Sequence, residues 1–501
     1  MDYSILSLYT AGLANVLQWE TLIMLLLGTV AGVIFGSIPG LSGTMALAVM
    51  TPLTYGMGVG PSFGLLLGVF CGACYGGSIS AITSSIPGTP AAMMTVMDGY
   101  PLAQQGNAGL AIGTATIASV MGGLISTVIL SFTVFPLAKA ALKFSAQEYF
   151  ALALIGLSII AALSEKSIIR GLIGGVLGLL LATIGADPLR GTLRFTFGNF
   201  YLIEGLQQVP VLIGFFGLVN CFEMIEKKAE ELVVVKEIGR IFPTWKEFKS
   251  IVPTIIRGSF IGTIIGAIPA AGGSIACIIS YGLEKSISKH PETFGKGELR
   301  GVAAPESANN GVTGGAMIPM LALGVPGDGA TAILLSALIL KGLNAGPTLF
   351  TEHVDVVSSI YILLLLANIF FFFLGIFGGA KVISRIITVP RQYLAPLLFM
   401  FCMIGCYACR SAAFDMWTLV VIGICGYIFK KLDISSAPIV LGFVLGNLFE
   451  QGFRRGMMLS KGNFLEFFTR PISGTCIALA VLIVLMPSII KVITKKRTTK
   501  S

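Results

Sequence analysis

Apolar residues run continuously along this chain, in long blocks rather than in alternation. The blocks fall near 21–55, 62–86, 108–136, 147–164, 167–185, 205–223, 253–282, 312–343, 354–380, 391–408, 412–430, 434–449 and 472–490. A helix needs roughly 20 apolar residues to cross a bilayer, whereas membrane barrels show short alternating strands. The pattern therefore predicts an all-α polytopic membrane protein of about 12 transmembrane helices plus broken or re-entrant segments.

Composition narrows this further. Hydrophobic residues make up 55% of the 501 positions and charged residues only 11%, with a mean hydropathy of +0.90. Such a chain cannot cover itself with a water-facing surface, which excludes a soluble globular enzyme, a disordered chain and a coiled coil. The net charge of +9 collects in a few loops and in Lys495-Lys496-Arg497. In a membrane protein this reports topology, with basic loops on the cytoplasmic side, and gives no basis for nucleic-acid binding. Cys71/Cys74 and Cys406/Cys409 have C-x-x-C spacing but lie in apolar or Gly/Ala-rich stretches, where cysteine acts as a small hydrophobe. With His290 and His353 the only histidines, a histidine metal site is not expected. The first twenty residues lack the basic start and cleavage site of a signal peptide.

An internal repeat organises the chain. Residues 28–46 align without a gap to 258–276, matching Gly28, Gly32, Gly36, Ile38 and Pro39 to Gly258, Gly262, Gly266, Ile268 and Pro269. A second pair, 76–91 and 314–330, repeats Gly-Gly and Pro-Gly with one extra residue in the second copy. The expected division is a repeat half at 1–223, a polar connecting loop at 224–252, a second half at 253–490 and a basic cytoplasmic tail at 491–501. Repeated halves are common in secondary transporters, with sites at the repeat interface.

Each half is interrupted twice, at Pro39-Gly40-Leu41-Ser42-Gly43-Thr44, Pro87-Gly88-Thr89-Pro90, Pro269-Ala270-Ala271-Gly272-Gly273-Ser274 and Pro326-Gly327-Asp328-Gly329. Irregular backbone at membrane depth is tolerated only inside protein or along a watery cavity. A broken helix exposes an N-terminus whose free N–H groups attract anions. Gly40, Ser42, Gly43, Thr44, Gly88, Thr89, Gly272, Gly273, Ser274 and Gly327 are accordingly the candidate carboxylate-binding residues. Glu306, Asn309, Asn310 and Asp328 are the candidate ion-coupling residues, because amide and carboxylate oxygens suit hard cations or protons. A plain helix cap is the competing reading of Asn309 and Asn310. Asp98 reads as a turn residue, and 281–300 as a solvated loop. No G-x-x-x-x-G-K-[ST] and no H-E-x-x-H occurs, so an ion gradient rather than nucleotide is the expected energy source.

Gly36-Ser-Ile-Pro-Gly-Leu41, Tyr75-Gly-Gly-Ser-Ile79, Ile86-Pro-Gly-Thr-Pro90, Asp98-Gly-Tyr-Pro101, Tyr281-x-x-Glu-Lys285, Phe294-Gly-Lys-Gly297 and Pro305-Glu-Ser-Ala-Asn-Asn310 together resemble the large membrane subunit of tripartite tricarboxylate transporters, the TctA-like family, over about 20–490. Ala270 and Gly311 depart from its common pattern. The resemblance implies a bacterial inner-membrane importer of citrate-like di- and tricarboxylates, driven by sodium or protons and needing no other cofactor. It implies a small four-helix membrane subunit and a periplasmic solute-binding protein as partners, and leaves homo-oligomers open. The alternatives are an ion-coupled organic-anion transporter without a binding protein, and an intramembrane enzyme suggested only by Gly324-Val-Pro-Gly-Asp328. The latter lacks a second aspartate to share a proton, since Asp415 lies in no comparable motif; the chain is therefore not expected to be an enzyme.

Overall fold

The computed structural model describes residues 5–162, 167–226, 239–269, 271–379 and 391–498. Part of the expected connecting loop (227–238), Ala270 of the third break and the last three residues of the expected tail lie outside them. Among the described residues the fold is helical, with a two-residue antiparallel pairing of Gly185–Ala186 with Leu193–Arg194. Seven helices among the described residues are long and apolar enough to cross a membrane.

The helices in chain order are α1 (Ile5–Val16), α2 (Trp19–Ser37), α3 (Gly43–Met50), α4 (Val59–Ser84), α5 (Met93–Leu102), α6 (Ala108–Ala141), α7 (Ala146–Ala162), α8 (Ile168–Ala182), α9 (Gln208–Leu212) and α10 (Val219–Glu226). There follow α11 (Trp245–Gly266), α12 (Gly272–Ile287), α13 (Leu299–Leu323), α14 (Gly329–Leu340), α15 (Leu349–Glu352), α16 (Val354–Leu374), α17 (Arg391–Arg410), α18 (Ala413–Lys431), α19 (Ser436–Leu459), α20 (Glu466–Thr469) and α21 (Pro471–Thr498).

Three layers form. The centre packs α2 on α4, α11 on α13, and α13 on α6, with α16 behind them. Two outer groups pack around it, α7, α8, α19 and α21 in one, and α9, α10, α17 and α18 in the other.

Small residues set the central packing, because two helices can close to backbone contact only where no side chain intervenes. A Cβ added at Gly28, Gly32 or Gly36 of α2 would fall 2.1, 2.4 or 2.3 Å from the carbonyl oxygens of Leu65, Val69 and Ala73 in α4. At Gly258, Gly262 or Gly266 of α11 it would fall 2.8, 2.1 or 2.9 Å from those of Ala304, Ala308 and Val312 in α13. The second set is the first shifted by 230 in one helix (28 to 258) and 239 in the other (65 to 304). The same shift of 239 carries Ser85, the left-handed C-cap of α4 (φ 62°), onto Gly324, the left-handed C-cap of α13 (φ 69°). It carries Gly88 onto Gly327, packed against the carbonyl oxygens of Gly36 and Gly266 respectively. The second repeat therefore aligns without the extra residue: Gly76 corresponds to Gly315, whose added Cβ would meet the Thr263 carbonyl as that of Gly76 meets Val33.

The breaks have local causes. Ser42 caps α3, accepting from the Met45 N–H at 3.1 Å. Asp328 caps α14 in a reciprocal box with Thr331. Thr244 and Glu247 do the same for α11, a signature legible as T-x-x-E.

Two inter-segment clasps mark opposite ends of the core. At one end Lys341, just past α14, donates from Nζ to the carbonyls of Thr54, Tyr55 and Met57 at 2.5, 3.2 and 2.7 Å. At the other, Asp98 of α5 accepts from the N–H groups of Gly295, Gly297 and Glu298 at 2.8, 3.0 and 2.8 Å and from the Tyr281 hydroxyl at 2.9 Å. Asp98 is thus no turn residue: it is fully buried inside a helix. The stretch 281–300 is not wholly a solvated loop either. Its first turn continues α12, and Glu284 is buried, accepting from Arg257 at 2.7 Å and Thr254 at 2.9 Å.

Candidate functional site

The four breaks converge. Ser42, Gly43 and Thr44 at the start of α3, Thr89, Pro90 and Ala91 ahead of α5, Gly273 and Ser274 at the start of α12, and Asp328 and Ala330 at the start of α14 line one cavity of roughly 200 Å³. Its remaining wall is Phe70, Ala73 and Cys74 of α4 with Asn309 and Val312 of α13. At ~30 Å³ per water, that space suits a small organic acid rather than a drug-sized ligand, whose pockets start near 300 Å³.

The polar groups are arranged for an anion at three of the four ends. Helix N-termini carry unsatisfied N–H groups and about half a positive charge, and α3 and α12 open onto the cavity. The Thr89 hydroxyl is buried, lines the cavity and has no hydrogen-bond partner in the protein. The fourth end differs: the Asp328 carboxylate accepts from the Thr331 N–H and hydroxyl, both at 2.8 Å, so the α14 terminus is already answered by its own acid. Asn309 donates to the Cys74 carbonyl at 2.9 Å, and its Oδ1 lies beside Gly273.

Several candidates sit off the lining. Gly40 is exposed at a positive φ and Gly272 half-buried at φ 62°, while Gly88 and Gly327 are packed against backbone and hold the turns. Glu306 is wholly buried elsewhere on α13, accepting from the Thr95 hydroxyl at 2.5 Å and the Ser119 hydroxyl at 2.9 Å. Asn310 is fully buried, and neither of its side-chain atoms has a partner. Both asparagines lie in the middle of α13, so the helix-cap reading of them does not hold.

Residues not anticipated from the sequence complete the surroundings. Thr44 and Ser42 also face a second cavity of about 430 Å³, lined by Phe215, Phe216, Asn220, Glu223, Lys430, Asp433, Ser435 and Ser436 among others. Lys430 pairs with Glu223 at 2.7 Å. Phe216 stands at the divide: its ring lies 3.2 Å from where a Cβ on Gly329 would be, beside the Thr44 methyl at 3.3 Å. It sits in a π-helical segment, Ile213–Leu218, between α9 and α10. Such bulges free backbone groups and recur at functional sites; nothing in the apolar run 205–223 announced one. Asn368, alone in an apolar block, did carry a signal, since a polar side chain at membrane depth is costly without a role.

The Asp328 and Asp415 carboxylates have separate partners. Arg410 holds Asp415 through two hydrogen bonds of 2.6 and 2.8 Å, so the two acids do not share a proton as an aspartyl dyad would.

Known proteins are similar to this chain in sequence. An Agrobacterium vitis protein described as "Uncharacterized 52.8 kDa protein in TAR-I ttuC' 3'region" is 36% identical over 489 residues, 97% of each chain. A shorter one from the same organism, "Uncharacterized protein in TAR-II ttuC' 3'region", is 36% identical over 232 residues, 46% of this chain and 95% of its own length. No solved structure matches. Residues 22–441 match the model described as Tripartite tricarboxylate transporter TctA family; with that span and a full-length relative at 36% identity, the chain belongs to the tripartite tricarboxylate transporter TctA family.

Proposed function

We propose that this chain is the large membrane subunit of a binding-protein-dependent secondary importer for small di- and tricarboxylates, coupled to sodium or protons. The observation that carries the reading is the convergence of four helix breaks, about 50 to 290 positions apart in sequence, on one small cavity containing an unpartnered buried hydroxyl at Thr89. A carboxylate there would be held by the ends of α3, α5 and α12 and by the hydroxyls of Ser42, Thr44, Thr89 and Ser274, without an arginine. Glu306, Asn309, Asn310 and Asp328 would serve the coupling ion.

In this reading the chain is built of two inverted halves, 1–223 and 253–490, with about 12 spans in all. The reciprocal clasps support inversion. One half's hairpin base at 54–57 meets the other half's short helix α14 at one end of the core. At the opposite end the relation is exchanged, with α5 meeting the 294–298 segment. The end carrying Lys246, Lys249, Lys285, Lys289, Lys296 and Lys430 is taken as cytoplasmic. The second cavity then leads from the carboxylate site toward the cytoplasm past Phe216. The membrane would be the bacterial inner membrane, and the partners a small four-helix membrane subunit and a periplasmic solute-binding protein.

The test is uptake of labelled citrate and of shorter dicarboxylates into proteoliposomes holding this chain and its small partner. Binding protein is added or withheld, under separate sodium and proton gradients. Uptake requiring binding protein and one gradient is the expected result. Uptake without the binding protein would favour a two-component carrier, and no uptake of any carboxylate would overturn the reading.

A further inference from the structure

Asn309 and Asn310 are adjacent, yet they face different surroundings. Asn309 lines the carboxylate cavity. Asn310 lies on the stripe of α13 that also holds Glu306 and Gly314, residues four apart sharing one helix face. That stripe is turned to α6: Glu306 meets Ser119, and Gly314 lies against Ser126. Between those two contacts α6 carries Gly122 and Gly123.

The two glycines form a notch. A Cβ on Gly122 would meet the Ser307 carbonyl at 2.3 Å, and one on Gly123 would lie 1.9 Å from Oδ1 of Asn368 on α16. Asn368 donates from Nδ2 to the Leu364 carbonyl at 2.7 Å, which orients the amide and leaves Oδ1 toward the notch. That Oδ1 has no hydrogen-bond partner, nor has either side-chain atom of Asn310, and both residues are wholly buried. Leaving a buried polar group unanswered is costly, so the two amide oxygens among them, Asn310 Oδ1 on α13 and Asn368 Oδ1 on α16, point to a ligand.

The chemistry around the notch selects its class. The hydroxyls of Ser126 and Thr127 both donate to the Gly123 carbonyl, at 3.0 and 2.8 Å, which leaves their oxygen lone pairs as acceptors. Glu306 brings a carboxylate one turn along α13, and among the described residues no cation pairs with it. The atoms offered are oxygens of amides, hydroxyls and one acid. Such a set suits a hard cation, and the absence of imidazole or thiolate from it disfavours a transition metal.

We infer that Asn310 and Asn368, with Glu306 supplying the negative charge, bind a sodium ion between α6, α13 and α16. This deepens the importer reading by narrowing its four ion-coupling residues to Glu306 and Asn310, behind the carboxylate cavity that Asn309 and Asp328 line, although binding itself requires no transport. Asn368 is a ligand in this site, and Gly123 is the small residue that lets the Asn368 amide approach α6.

The experiment uses the purified full-length chain in detergent, without carboxylate or partners. Thermal unfolding and equilibrium binding of radioactive sodium are followed in sodium, potassium and choline chloride at equal ionic strength. Wild type should show saturable, sodium-selective stabilisation. Asn368→Asp should still bind sodium selectively but with shifted affinity, whereas Asn368→Ala and Asn310→Ala should weaken binding by about tenfold or more. Should an alanine variant fail to fold, the comparison of Asn368→Asp with wild type still reports on the site, because added charge at a ligand must shift sodium affinity. Equal behaviour in all three salts, or sodium binding unchanged in every variant, overturns the site. Sodium binding without any carboxylate uptake would overturn the importer reading alone.

Discussion

The side-chain amide of Asn309 donates to the backbone carbonyl of Cys74, 2.9 Å away and 235 positions earlier in the chain. The bond joins α13 to α4, the two helices against which α11 and α2 are packed. It thereby fixes the wall of the cavity on which all four breaks converge, and it leaves the Thr89 hydroxyl opposite as the unpartnered donor.

Thr89→Val should raise the half-saturation concentration for carboxylate by about tenfold, as expected for losing one hydrogen bond to a charged group. Thr89→Ser should restore it. The hydroxyl makes no bond within the protein, so thermal stability without substrate should stay within about 0.5 kcal/mol of wild type. Uptake kinetics alongside unfolding curves check this, and an unaltered half-saturation in the valine variant would remove Thr89 from the site.

Gly32→Leu should destabilise the protein by about 3 kcal/mol or prevent folding, because overpacking cannot be relieved against backbone. The obstructing atom is the Val69 carbonyl oxygen, 2.4 Å from the added Cβ. Gly262→Leu should behave alike against Ala308. Gly56→Ala, where nothing lies within 4 Å, is the matched control. Midpoints from detergent-solubilised protein decide the matter.

Asp98→Ala should release the segment at 294–298. Four donors lose their acceptor at once, three of them backbone N–H groups. Trypsin should then cut after Lys289 and Lys296 at least about tenfold faster, given a cost of 1–3 kcal/mol for each buried group left unanswered. Cleavage at wild-type rates would show that the segment is held by other contacts.

Acid should spare the hairpin loop that follows α8. Its Asp187 accepts from the Arg454 guanidinium and from the N–H groups of Leu189 and Arg190 at 2.8 and 2.9 Å. These contacts, the arginine first, hold its carboxyl well below the ordinary range. A depressed value means that the stabilisation is complete above the unfolded value near ~3.9 and is lost only as pH falls through the lower folded value. Pepsin should therefore leave 188–204 intact at pH about 4 and cut it only at stronger acidity, whereas Asp187→Asn should be cut throughout.

Much of this was legible in the sequence. Continuous apolar blocks gave the helical class, and Gly-x3-Gly spacing with Ile-Pro at one register gave the paired breaks. Ser42, Thr44, Thr89, Ser274, Asn309 and Asp328 meet at the cavity because proline and glycine end helices locally, wherever the rest of the chain goes. What depended on tertiary contact was not legible. Asp98 reads as a turn because Asp-Gly-Tyr-Pro is turn chemistry, but four donors from a distant segment bury it in a helix. Asn309 and Asn310 admit a helix-cap reading, yet α13, packed between α6 and α11, runs through Pro305 and leaves them mid-helix. The one-residue slip in the second repeat arose because Gly-Gly occurs at both 76 and 314, and only the carbonyl each glycine touches fixes the register.

The two clasps limit how the molecule can change shape. Lys341 fastens the second half to the first at one end, and Asp98 fastens the first to the second at the other. Shearing the halves past each other would have to undo one fastening or both. A motion that keeps both fastenings must carry the end of α14 with the segment before α4 on one side, and α5 with the segment before α13 on the other.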